Sequence, residues 1–474
     1  MTTSNRIKHS DRIFEVINPY SREIVDTVPI TSAEQVDDAL NSSYKLQCNL
    51  TGFDRSKILS KAAQLIENQK SQFAQLISSE SGLCIKHSLY EISRAVNCLN
   101  YSVKQAELID NVDLTSDFVS NYSYSEPELR VISEPWDLAI GITPFNHPLN
   151  MVVHKVAPAI AAGTPIVIKP SEKTPLTAIK FGEILIACGL PENMLNIVVG
   201  IPAKTIVDQL VSYPGLDLVS FTGSVQVGKY IAAKMANNGN GLKKYMPELG
   251  GNASFVVMDD CDIDLAANVA LGAYANSGQR CTAVKRILAV ESIADTLVEK
   301  IVEKASKLNC GNPSDPKTDV GTVIDENSAK LFERRVKDSV SKGACKLYGN
   351  DRQGALFHPS VIDHVPSECE LVMEETFGPA IPIIRVKDID HAIKIANGTS
   401  FGLSSGVCSN RLDYVTRFIN ELNHGTVNIW EVPGYRIEMS PFGGIKDSGL
   451  GYKEGVIEAM KSFTNLKTFS MPWY

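Results

Sequence analysis

The segment from residue 138 to residue 221 constrains the fold most, because it repeats one pattern four times: a short apolar run followed by a turn. The runs lie at 138–142, 164–168, 195–200 and 216–221. Short apolar runs bounded by turns predict buried strands, and the helical pattern between them predicts covering helices. Such alternation favours a parallel sheet with both faces covered. We therefore expect an α/β fold that binds its ligands at the carboxyl ends of these strands.

Two segments before this region have different patterns. Residues 55–78 place apolar side chains at helical spacing, which predicts a helix. Residues 117–134 alternate apolar and polar side chains around a Glu-Pro-Glu turn, which predicts two exposed strands. An extended hairpin that leaves the body of the protein is a candidate for contact between subunits.

Composition and charge exclude several classes of protein. The chain has 474 residues, enough for two or three domains, and its formal net charge of −8 comes without a long basic run. This charge argues against a nucleic-acid partner. The polar start and the lack of a long apolar run predict neither a secretory signal nor a membrane-spanning segment. The cysteines lack close paired spacing, which argues against disulfides and metal sites, so we expect a cytoplasmic protein with reduced thiols.

A thiol and a carboxylate stand in small-residue segments that suit acyl chemistry. Cys281 ends the run Gly278-Gln279-Arg280-Cys281, and Glu248 precedes two glycines. A thiolate attacks a carbonyl carbon, and a carboxylate activates the water that releases the acyl product. The cation next to the thiol favours the thiolate. The two residues together predict an enzyme that works through a thioester.

Each of these residues also has a purely structural interpretation. A glutamate before Gly-Gly is often a turn residue, and most cysteines in a reduced protein are small buried hydrophobes. The other cysteines fit that description: Cys48, Cys84, Cys98, Cys188, Cys261, Cys310, Cys345, Cys369 and Cys408. The flexible backbone and the cation beside Cys281 distinguish it from them.

The last of the four predicted strands leads into a glycine-containing turn that suits a pyrophosphate. Gly223, Ser224 and Gly228 lie between this strand and a helical pattern, where backbone N–H groups can bind phosphate. The spacing departs from G-x-G-x-x-G, so a tight turn is the alternative. Glu172 can accept hydrogen bonds from the adenosine ribose and would repel a ribose phosphate, which favours NAD over NADP. Lys169 can contact the same ribose.

Seven short motifs, in order along nearly the whole chain, resemble those of the aldehyde dehydrogenase superfamily. They are PFNHP at 144–148, KPSE at 169–172, FTGS at 221–224, ELGG at 248–251, GQRCT at 278–282, EETFGP at 374–379 and PFGG at 441–444. The resemblance implies a Rossmann-like cofactor domain at 1–114 and 136–248, and a catalytic α/β domain at 249–440. It also implies an oligomerisation element, made of the protruding β-hairpin at 115–135 and the tail at 441–474, in a homodimer or homotetramer.

The resemblance implies a role for each motif residue. Cys281 attacks the aldehyde to form a thiohemiacetal, the Asn146 amide and the Cys281 N–H hold the oxyanion, and Glu248 activates the hydrolytic water. Glu375 would bind the nicotinamide ribose, with Phe377 beside it. The implied cofactor is NAD, held by Lys169, Ser171, Glu172, Gly223, Ser224, Gly228, Glu375 and Phe377.

Some residues near the thiol depart from the common pattern of the superfamily or add a charge to it. They are His147 after the oxyanion asparagine, Arg280 before the nucleophile, Arg436 before the last motif, and Arg94 on a predicted helix that can cover the pocket mouth. Singly, each is more often a surface or paired charge. Together they predict an anionic head group on the substrate, because guanidinium groups match oxyanions.

The C-terminal segment narrows the range of possible substrates, since residues 431–454 resemble the corresponding segment of the dehydrogenases of sulfoacetaldehyde and phosphonoacetaldehyde. This resemblance implies a small aldehyde that carries a sulfonate or a phosphonate. The alternatives are another small aldehyde, such as succinate semialdehyde, glyceraldehyde 3-phosphate or lactaldehyde, and an inactive homologue that serves as a structural or binding protein. An inactive homologue is expected to lose Cys281, Glu248 or Asn146, and all three are present.

Overall fold

A computed structural model describes residues 12–471 except 47, 110–127, 238, 240 and 350. The described strands in chain order are β1 (Ile13–Ile17), β2 (Ile24–Pro29), β3 (Glu128–Pro135), β4 (Ala139–Ile142), β5 (Ile166–Lys169), β6 (Leu195–Ile197), β7 (Leu218–Thr222), β8 (Lys244–Glu248), β9 (Ser254–Val257), β10 (Arg286–Val290), β11 (Cys345–Tyr348), β12 (Arg352–Gln353), β13 (Leu356–Phe357), β14 (Ser360–Asp363), β15 (Ala380–Val386), β16 (Phe401–Gly402), β17 (Ser404–Cys408), β18 (Thr426–Ile429), β19 (Ile445–Lys446) and β20 (Thr464–Met471).

The described α-helices cover the sheets or extend from them. They are α1 (Ala33–Tyr44), α2 (Gly52–Asn68), α3 (Lys70–Ser81), α4 (Ile85–Leu108), α5 (Asn150–Ala162), α6 (Leu176–Ala187), α7 (Ala203–Val211), α8 (Val225–Asn237), α9 (Ile263–Ala270), α10 (Glu291–Ala305), α11 (Glu326–Ser341), α12 (Glu370–Met373), α13 (Ile389–Asn397), α14 (Leu412–Glu421) and α15 (Val456–Ser462). None of the helices in the described ranges has both the length and the apolar character that a membrane span requires.

A five-stranded sheet confirms the parallel α/β pattern expected from the sequence. Its order is β6-β5-β4-β7-β8, and every neighbouring pair is parallel. The first four of its strands along the chain are those predicted between residues 138 and 221. Because parallel strands end at the same edge of the sheet, the segments that follow β4, β7 and β8 are neighbours in space.

A seven-stranded sheet is the second large sheet of the fold. Its order is β11-β14-β15-β10-β9-β17-β18, and only β11 runs antiparallel to its neighbour. β10 is buried along its whole length and follows the Cys281 segment after only a few residues. A core strand therefore anchors the chain just beyond the predicted nucleophile.

A two-stranded ribbon joins the segments that the resemblance assigns to the oligomerisation element. β3 pairs antiparallel with β20, from Thr464 opposite Pro135 to Met471 opposite Glu128. The first strand of the predicted hairpin lies at 117–127, outside the described residues. The rest of the tail behaves differently, because Val456 and Phe463 are buried against the helical core around α4 and α5.

The helix predicted at 55–78 is two helices. α2 begins after Thr51, whose hydroxyl accepts a hydrogen bond from the Asp54 N–H while the Asp54 carboxylate accepts one from the Thr51 N–H. The backbone leaves the helical region at Gln69, with φ −102° and ψ 16°, and α3 begins at the next residue. Both helices bury their apolar faces in one core, so the pattern of buried positions continues across the break.

The cysteines divide into three groups, and this corrects the prediction that the nine apart from Cys281 are all buried. Five are buried, namely Cys84, Cys98, Cys188, Cys369 and Cys408. Cys48, Cys261 and Cys310 are partly exposed, and Cys345 is exposed on the edge strand β11. Short strands at a sheet edge leave alternate side chains in water whatever their polarity.

Candidate active site

A cavity of about 330 Å³ lies where the segments after β4, β7 and β8 meet those before β10 and after β18. This is the carboxyl edge of the five-stranded sheet, where the fold class predicts a ligand. The predicted site residues that line the cavity are Arg94, Asn146, His147, Gly223, Ser224, Glu248, Arg280, Cys281, Glu375, Phe377 and Arg436. Lys169, Ser171, Glu172 and Gly228 lie outside this lining.

A tight turn with left-handed backbone precedes Cys281. Asn276 and Ser277 have φ of 54° and 53°, and Gly278 has φ of 73°. A Cβ at position 278 would lie 2.1 Å from the carbonyl oxygen of Gly378, so only glycine fits there. The packed turn therefore fixes the point at which Cys281 enters the cavity.

Lys285 connects this turn to a second loop, and sequence reasoning missed it. Its ammonium donates hydrogen bonds to the carbonyl oxygens of Gly278 (2.7 Å) and Thr376 (3.0 Å). It also lies 4.7 Å from the centre of the Phe377 ring. Burial lowers the pKa of Lys285 to about 8. The feature of the sequence that could have revealed Lys285 is a lysine next to apolar residues, four positions after Cys281.

The thiol of Cys281 is protonated at neutral pH in the free protein. Burial raises its pKa to about 11, and the charge of Glu375 acts in the same direction. Arg436 and Arg280 lower the pKa, so the adjacent cation acts as predicted, but burial outweighs it. Attack on a carbonyl carbon therefore requires that the thiol lose its proton within the cavity.

Asn146 offers a hydrogen-bond donor beside the nucleophile segment. It follows β4, is buried, and donates from Nδ2 to the carbonyl oxygen of Gln279 at 2.8 Å. The Gln279 side chain in turn accepts a hydrogen bond from the Ile324 N–H. An amide nitrogen carries two hydrogens, so the bond to Gln279 orients the group and leaves one donor for a substrate oxygen.

Glu248 is the last residue of β8 and is buried at the cavity wall. Its Oε2 has no hydrogen-bond partner among the described residues. Burial raises the pKa of Glu248 well above its ordinary value, and the charge of Glu454 adds to the effect. Burial thus favours the protonated form of this carboxyl, whereas only its ionised form can activate water.

A second carboxylate and a lysine lie behind Glu248, and both were missed from the sequence. Lys155 donates to the Ser220 hydroxyl at 2.9 Å and pairs with Glu454 at 3.1 Å. Burial raises the pKa of Glu454, but the charge of Lys155 outweighs burial and the net pKa is lowered. Lys155 stands in an apolar run on α5, and a lysine fully buried in such a run signals a functional pair.

Three arginines border the cavity from different segments. Arg280 and Arg436 have no carboxylate within ion-pair distance among the described residues, and the guanidinium of Arg436 stacks 3.8 Å from the centre of the Phe442 ring. Arg94 pairs through Nε with Glu438 at 2.6 Å, while its Nη2 is buried and has no hydrogen-bond partner in the part of the chain that the structure describes. Burial lowers the pKa of both Arg280 and Arg436, and repulsion from Arg94 adds to it.

His147 lies at the same side of the cavity but is held by protein groups. Its Nε2 is 3.0 Å from the Asn276 amide nitrogen, and its Nδ1 is 3.5 Å from a carboxylate oxygen of Glu91. Burial lowers the pKa of His147 despite this carboxylate. A neutral imidazole serves here as a hydrogen-bonding group rather than as a fourth cation.

The residues near the cavity fit one end of a nicotinamide dinucleotide. The Thr222 hydroxyl is buried, lines the cavity and has no hydrogen-bond partner among the described residues. Glu375 accepts a hydrogen bond from the Gly251 N–H at 3.1 Å, and a Cβ at position 250 would lie 2.2 Å from its Oε2. The two glycines after Glu248 thus leave room for a buried carboxylate that can bind sugar hydroxyls.

The remaining predicted cofactor residues lie at the ends of β5 and β7. Lys169 pairs with Glu172 at 3.1 Å at the end of β5, and the Ser171 hydroxyl accepts a hydrogen bond from the Lys173 N–H. Gly228 is different, because a Cβ there would lie 2.5 Å from the Leu249 side chain. It permits close packing of α8 against Leu249, and its contact with a pyrophosphate stays a prediction. The described residues hold no cluster of metal-ligating side chains.

Known proteins share both this sequence pattern and this fold. Residues 7–469 match the model of the Aldehyde dehydrogenase family. The chain is 36% identical over 462 residues to a lactaldehyde dehydrogenase of Methanococcus maripaludis, covering 96% of each chain. It is 32% identical over 460 residues to a sulfoacetaldehyde dehydrogenase of Neptuniibacter caesariensis, covering 96% of this chain and 98% of that one.

A solved structure agrees with these relatives. The glyceraldehyde-3-phosphate dehydrogenase of Methanocaldococcus jannaschii, solved in complex with NADP, superposes with a TM-score of 0.91 at 34% identity, and the match covers 98% of this chain and all of that one. The match over nearly the whole length, together with a thiol, an amide and a carboxyl in one cavity, identifies an oxidoreductase that uses a nicotinamide cofactor. The chain belongs to the aldehyde dehydrogenase family.

Proposed function

We propose that this enzyme oxidises a small aldehyde with an anionic head group, a sulfonate or a phosphonate, to the carboxylate, with NAD as the preferred cofactor. One observation carries the proposal: three guanidinium groups border the cavity of Cys281, and two of them have no carboxylate partner among the described residues. Buried charges are normally paired, so unpaired arginines in a ligand cavity favour an anionic ligand. The sulfoacetaldehyde dehydrogenase among the relatives supports this choice.

The first steps take place at Cys281. Its thiol releases a proton to solvent water, and the thiolate sulfur forms a bond to the aldehyde carbon while the carbonyl π electrons move to oxygen. The free hydrogen of the Asn146 amide and the backbone N–H of Cys281 donate to that oxyanion. A donor of this kind stabilises the transition state by roughly 2.7–4 kcal/mol. When bound, a nicotinamide cofactor supplies the acceptor for the hydride on the aldehyde carbon.

Release of the acyl group falls to Glu248. As a carboxylate, Glu248 takes a proton from water, and the hydroxide oxygen attacks the thioester carbon. The carbon–sulfur bond then breaks, the carboxylate product leaves, and Cys281 regains a proton. Glu454 lies close enough for its charge to raise the pKa of Glu248, and Lys155 holds Glu454 ionised. The Lys155–Glu454 pair thus provides a second proton acceptor, the Glu454 carboxylate, behind Glu248.

The preference for NAD rests on Glu172. Burial raises its pKa, but Lys169 and the hydrogen bonds around the carboxylate outweigh burial, so the net pKa is lowered and Glu172 is ionised at neutral pH. An ionised carboxylate accepts bonds from ribose hydroxyls and repels a 2′-phosphate. The relative that was solved with NADP makes the phosphorylated cofactor the alternative.

The central experiment measures NADH formation with sulfoacetaldehyde, phosphonoacetaldehyde, succinate semialdehyde and lactaldehyde in parallel. We expect kcat/KM for a sulfonate or phosphonate aldehyde to exceed that for the neutral lactaldehyde by tenfold or more, on the order of one charge-assisted contact. Equal efficiency with lactaldehyde would overturn the anionic head group and would favour the lactaldehyde relatives as guides. No turnover of any aldehyde would favour the inactive homologue.

We also propose that the enzyme is a homodimer or homotetramer that associates through the β3–β20 ribbon. Leu466 on β20 has 67% of its surface exposed, and Ile132 on β3 has 40%. Apolar side chains along a protruding ribbon favour contact with another copy of the chain. Light scattering should therefore give two or four times the chain mass of 51.7 kDa, and a monomer would contradict the proposal.

A further inference from the structure

A buried carboxylate that the proposed reaction does not use lies behind Arg94. Glu438 has only 4% of its side chain exposed and stands between two basic groups. Its Oε1 lies 2.6 Å from Nε of Arg94, and its Oε2 lies 2.5 Å from Nε2 of His154. Arg94 and His154 belong to α4 and α5, so the carboxylate ties the loop after β18 to two helices.

The pairing leaves one end of the Arg94 guanidinium free. Nε is bound to Glu438, whereas Nη2 is buried and has no hydrogen-bond partner among the described residues. Arg94 also lines the cavity of Cys281. Because the guanidinium is planar, a bond at Nε fixes the direction in which Nη2 donates.

Glu438 also reduces the repulsion within the cluster of arginines. Arg94 lowers the pKa of both Arg280 and Arg436, which shows that the three like charges act on one another. Burial raises the pKa of Glu438, but the interactions with His154 and Arg94 outweigh burial and hold this pKa far below its ordinary value, so Glu438 is ionised. A fixed negative charge behind Arg94 lets three guanidinium groups share one small cavity.

We propose that Glu438 is a specificity-determining positioning residue that orients Arg94 toward the anionic head group. This inference rests on the proposed function, since it presumes that Arg94 binds the substrate anion. Glu438 does not line the cavity of Cys281, and its hydrogen bond to Arg94 is the contact through which it acts on the head-group site. Its loss should therefore weaken binding of anionic aldehydes and leave the chemistry of neutral ones in place.

The test compares Glu438→Gln, Arg94→Ala and the double variant on sulfoacetaldehyde and on propanal. We expect Glu438→Gln to reduce kcat/KM for sulfoacetaldehyde about tenfold, mainly through KM, the size of one charge-assisted contact. The kcat/KM for propanal should change by less than about twofold, which is within the usual error of such comparisons. In the Arg94→Ala background the Glu438 substitution should add little, because the two residues act as one unit.

A second readout does not depend on turnover. Ethanesulfonate should protect Cys281 of the cofactor-free protein from alkylation by iodoacetamide, and Glu438→Gln should raise the protecting concentration about tenfold, as above. Asp363→Asn is the matched control, because Asp363 is a buried carboxylate paired with Arg385 at 2.7 Å outside the cavity lining. It should lower thermal stability without changing the ratio between the two aldehydes.

The outcomes separate the two proposals. If Arg94→Ala affects both aldehydes alike or neither, Arg94 does not bind the head group, and the proposed function fails at that residue. If Arg94→Ala is selective but Glu438→Gln is not, or if Glu438→Gln has its full effect without Arg94, the role of Glu438 is overturned. Should Glu438→Gln fail to fold, Glu438→Asp provides the same test, since it keeps the charge and shortens its reach.

Discussion

The two walls of the cavity differ in what holds them and in their charge. The nucleophile wall consists of Asn146, Glu248 and Cys281, which stand near strand ends or in a packed turn, and burial raises the pKa of both Glu248 and Cys281. The head-group wall consists of Arg94, His147, Arg280 and Arg436, of which the arginines are charged side chains that reach in from separate segments.

This difference suggests that the nucleophile wall serves the reaction and that the head-group wall serves substrate recognition. In the proposed mechanism, backbone geometry places the reacting groups, and burial disfavours the charged forms of Cys281 and Glu248 before the substrate binds. The head-group wall is charged before the substrate arrives, because arginine stays protonated. Substitutions in the first wall should therefore affect every aldehyde, whereas those in the second should distinguish anionic from neutral ones.

The largest effect is expected from the nucleophile. Cys281→Ala should abolish turnover of all aldehydes, because no other thiol lines the cavity among the described residues. Thermal melting with and without NAD checks that folding and cofactor binding survive. Activity within about tenfold of the wild type, roughly 1.4 kcal/mol of barrier, would reject the assignment.

The base should come next. Glu248→Gln should slow steady-state turnover about a hundredfold or more, the usual contribution of general-base catalysis, while hydride transfer is less affected. A rapid burst of NADH close to one per active site should then precede slow turnover. Equal loss of burst and steady state would place Glu248 before the thioester rather than after it.

The raised pKa of Cys281 predicts that the rate at which this thiol is alkylated depends on pH. The pKa of Cys281 is raised to about 11, so the thiolate fraction rises with pH throughout the range below that value. Alkylation of the cofactor-free enzyme by iodoacetamide should accelerate about tenfold per pH unit between pH 7 and 9. The Cys281→Ala variant corrects for other thiols, and a plateau below pH 8 would show that the arginines outweigh burial.

A smaller, selective effect is expected in the head-group wall. Arg436→Ala should lower kcat/KM for the anionic aldehyde about tenfold, since a charge-assisted contact in a site that excludes water contributes roughly 1.5–3 kcal/mol. Propanal should be nearly unaffected. If Arg436→Ala lowers kcat/KM equally for both aldehydes, or for neither, Arg436 does not distinguish anionic from neutral substrates.

The smallest effect concerns the cofactor. Wild-type enzyme should use NAD more efficiently than NADP, and Glu172→Gln should narrow the difference several-fold, as expected from the loss of one repulsive charge at a partly exposed site. Lys204→Met, a change at an exposed lysine that pairs with Asp208, should leave the ratio unchanged. Better efficiency with NADP in the wild type would show that Glu172 points elsewhere.

The nucleophile wall could be predicted residue by residue from the sequence, because Cys281, Glu248 and Asn146 stand in short contiguous motifs. Most of the parallel sheet could be predicted because four of its strands lie in short, mostly apolar runs, whereas the fifth, β8, has the sequence KYMPE and was not predicted. Lys155, Lys285 and Glu438 could not, since their importance comes from partners that burial brings together. The partner of Glu438 on α4 is 344 positions away in the chain.

The direction of the Cys281 pKa could not be read from the sequence either. A neighbouring Arg280 is visible in the chain, but the burial that outweighs it depends on the closed cavity. The same holds for Gly228, whose small size the sequence explains equally well by phosphate binding or by packing. The contact with Leu249 shows that packing alone already requires a glycine at this position.

The turn at Gly278 has a consequence for which substitutions the chain tolerates. At position 278 a methyl group would meet a backbone oxygen at 2.1 Å, whereas at Gly343, with φ of 103°, it would meet nothing within 4 Å. A library randomised at both positions and selected for folded, active enzyme should therefore return glycine alone at 278, and at 343 mainly glycine with some asparagine and aspartate, because there the backbone strains a side chain but no neighbouring atom blocks it. The turn before Cys281 thus tolerates only glycine at position 278, whereas the exposed turn at position 343 tolerates some substitutions.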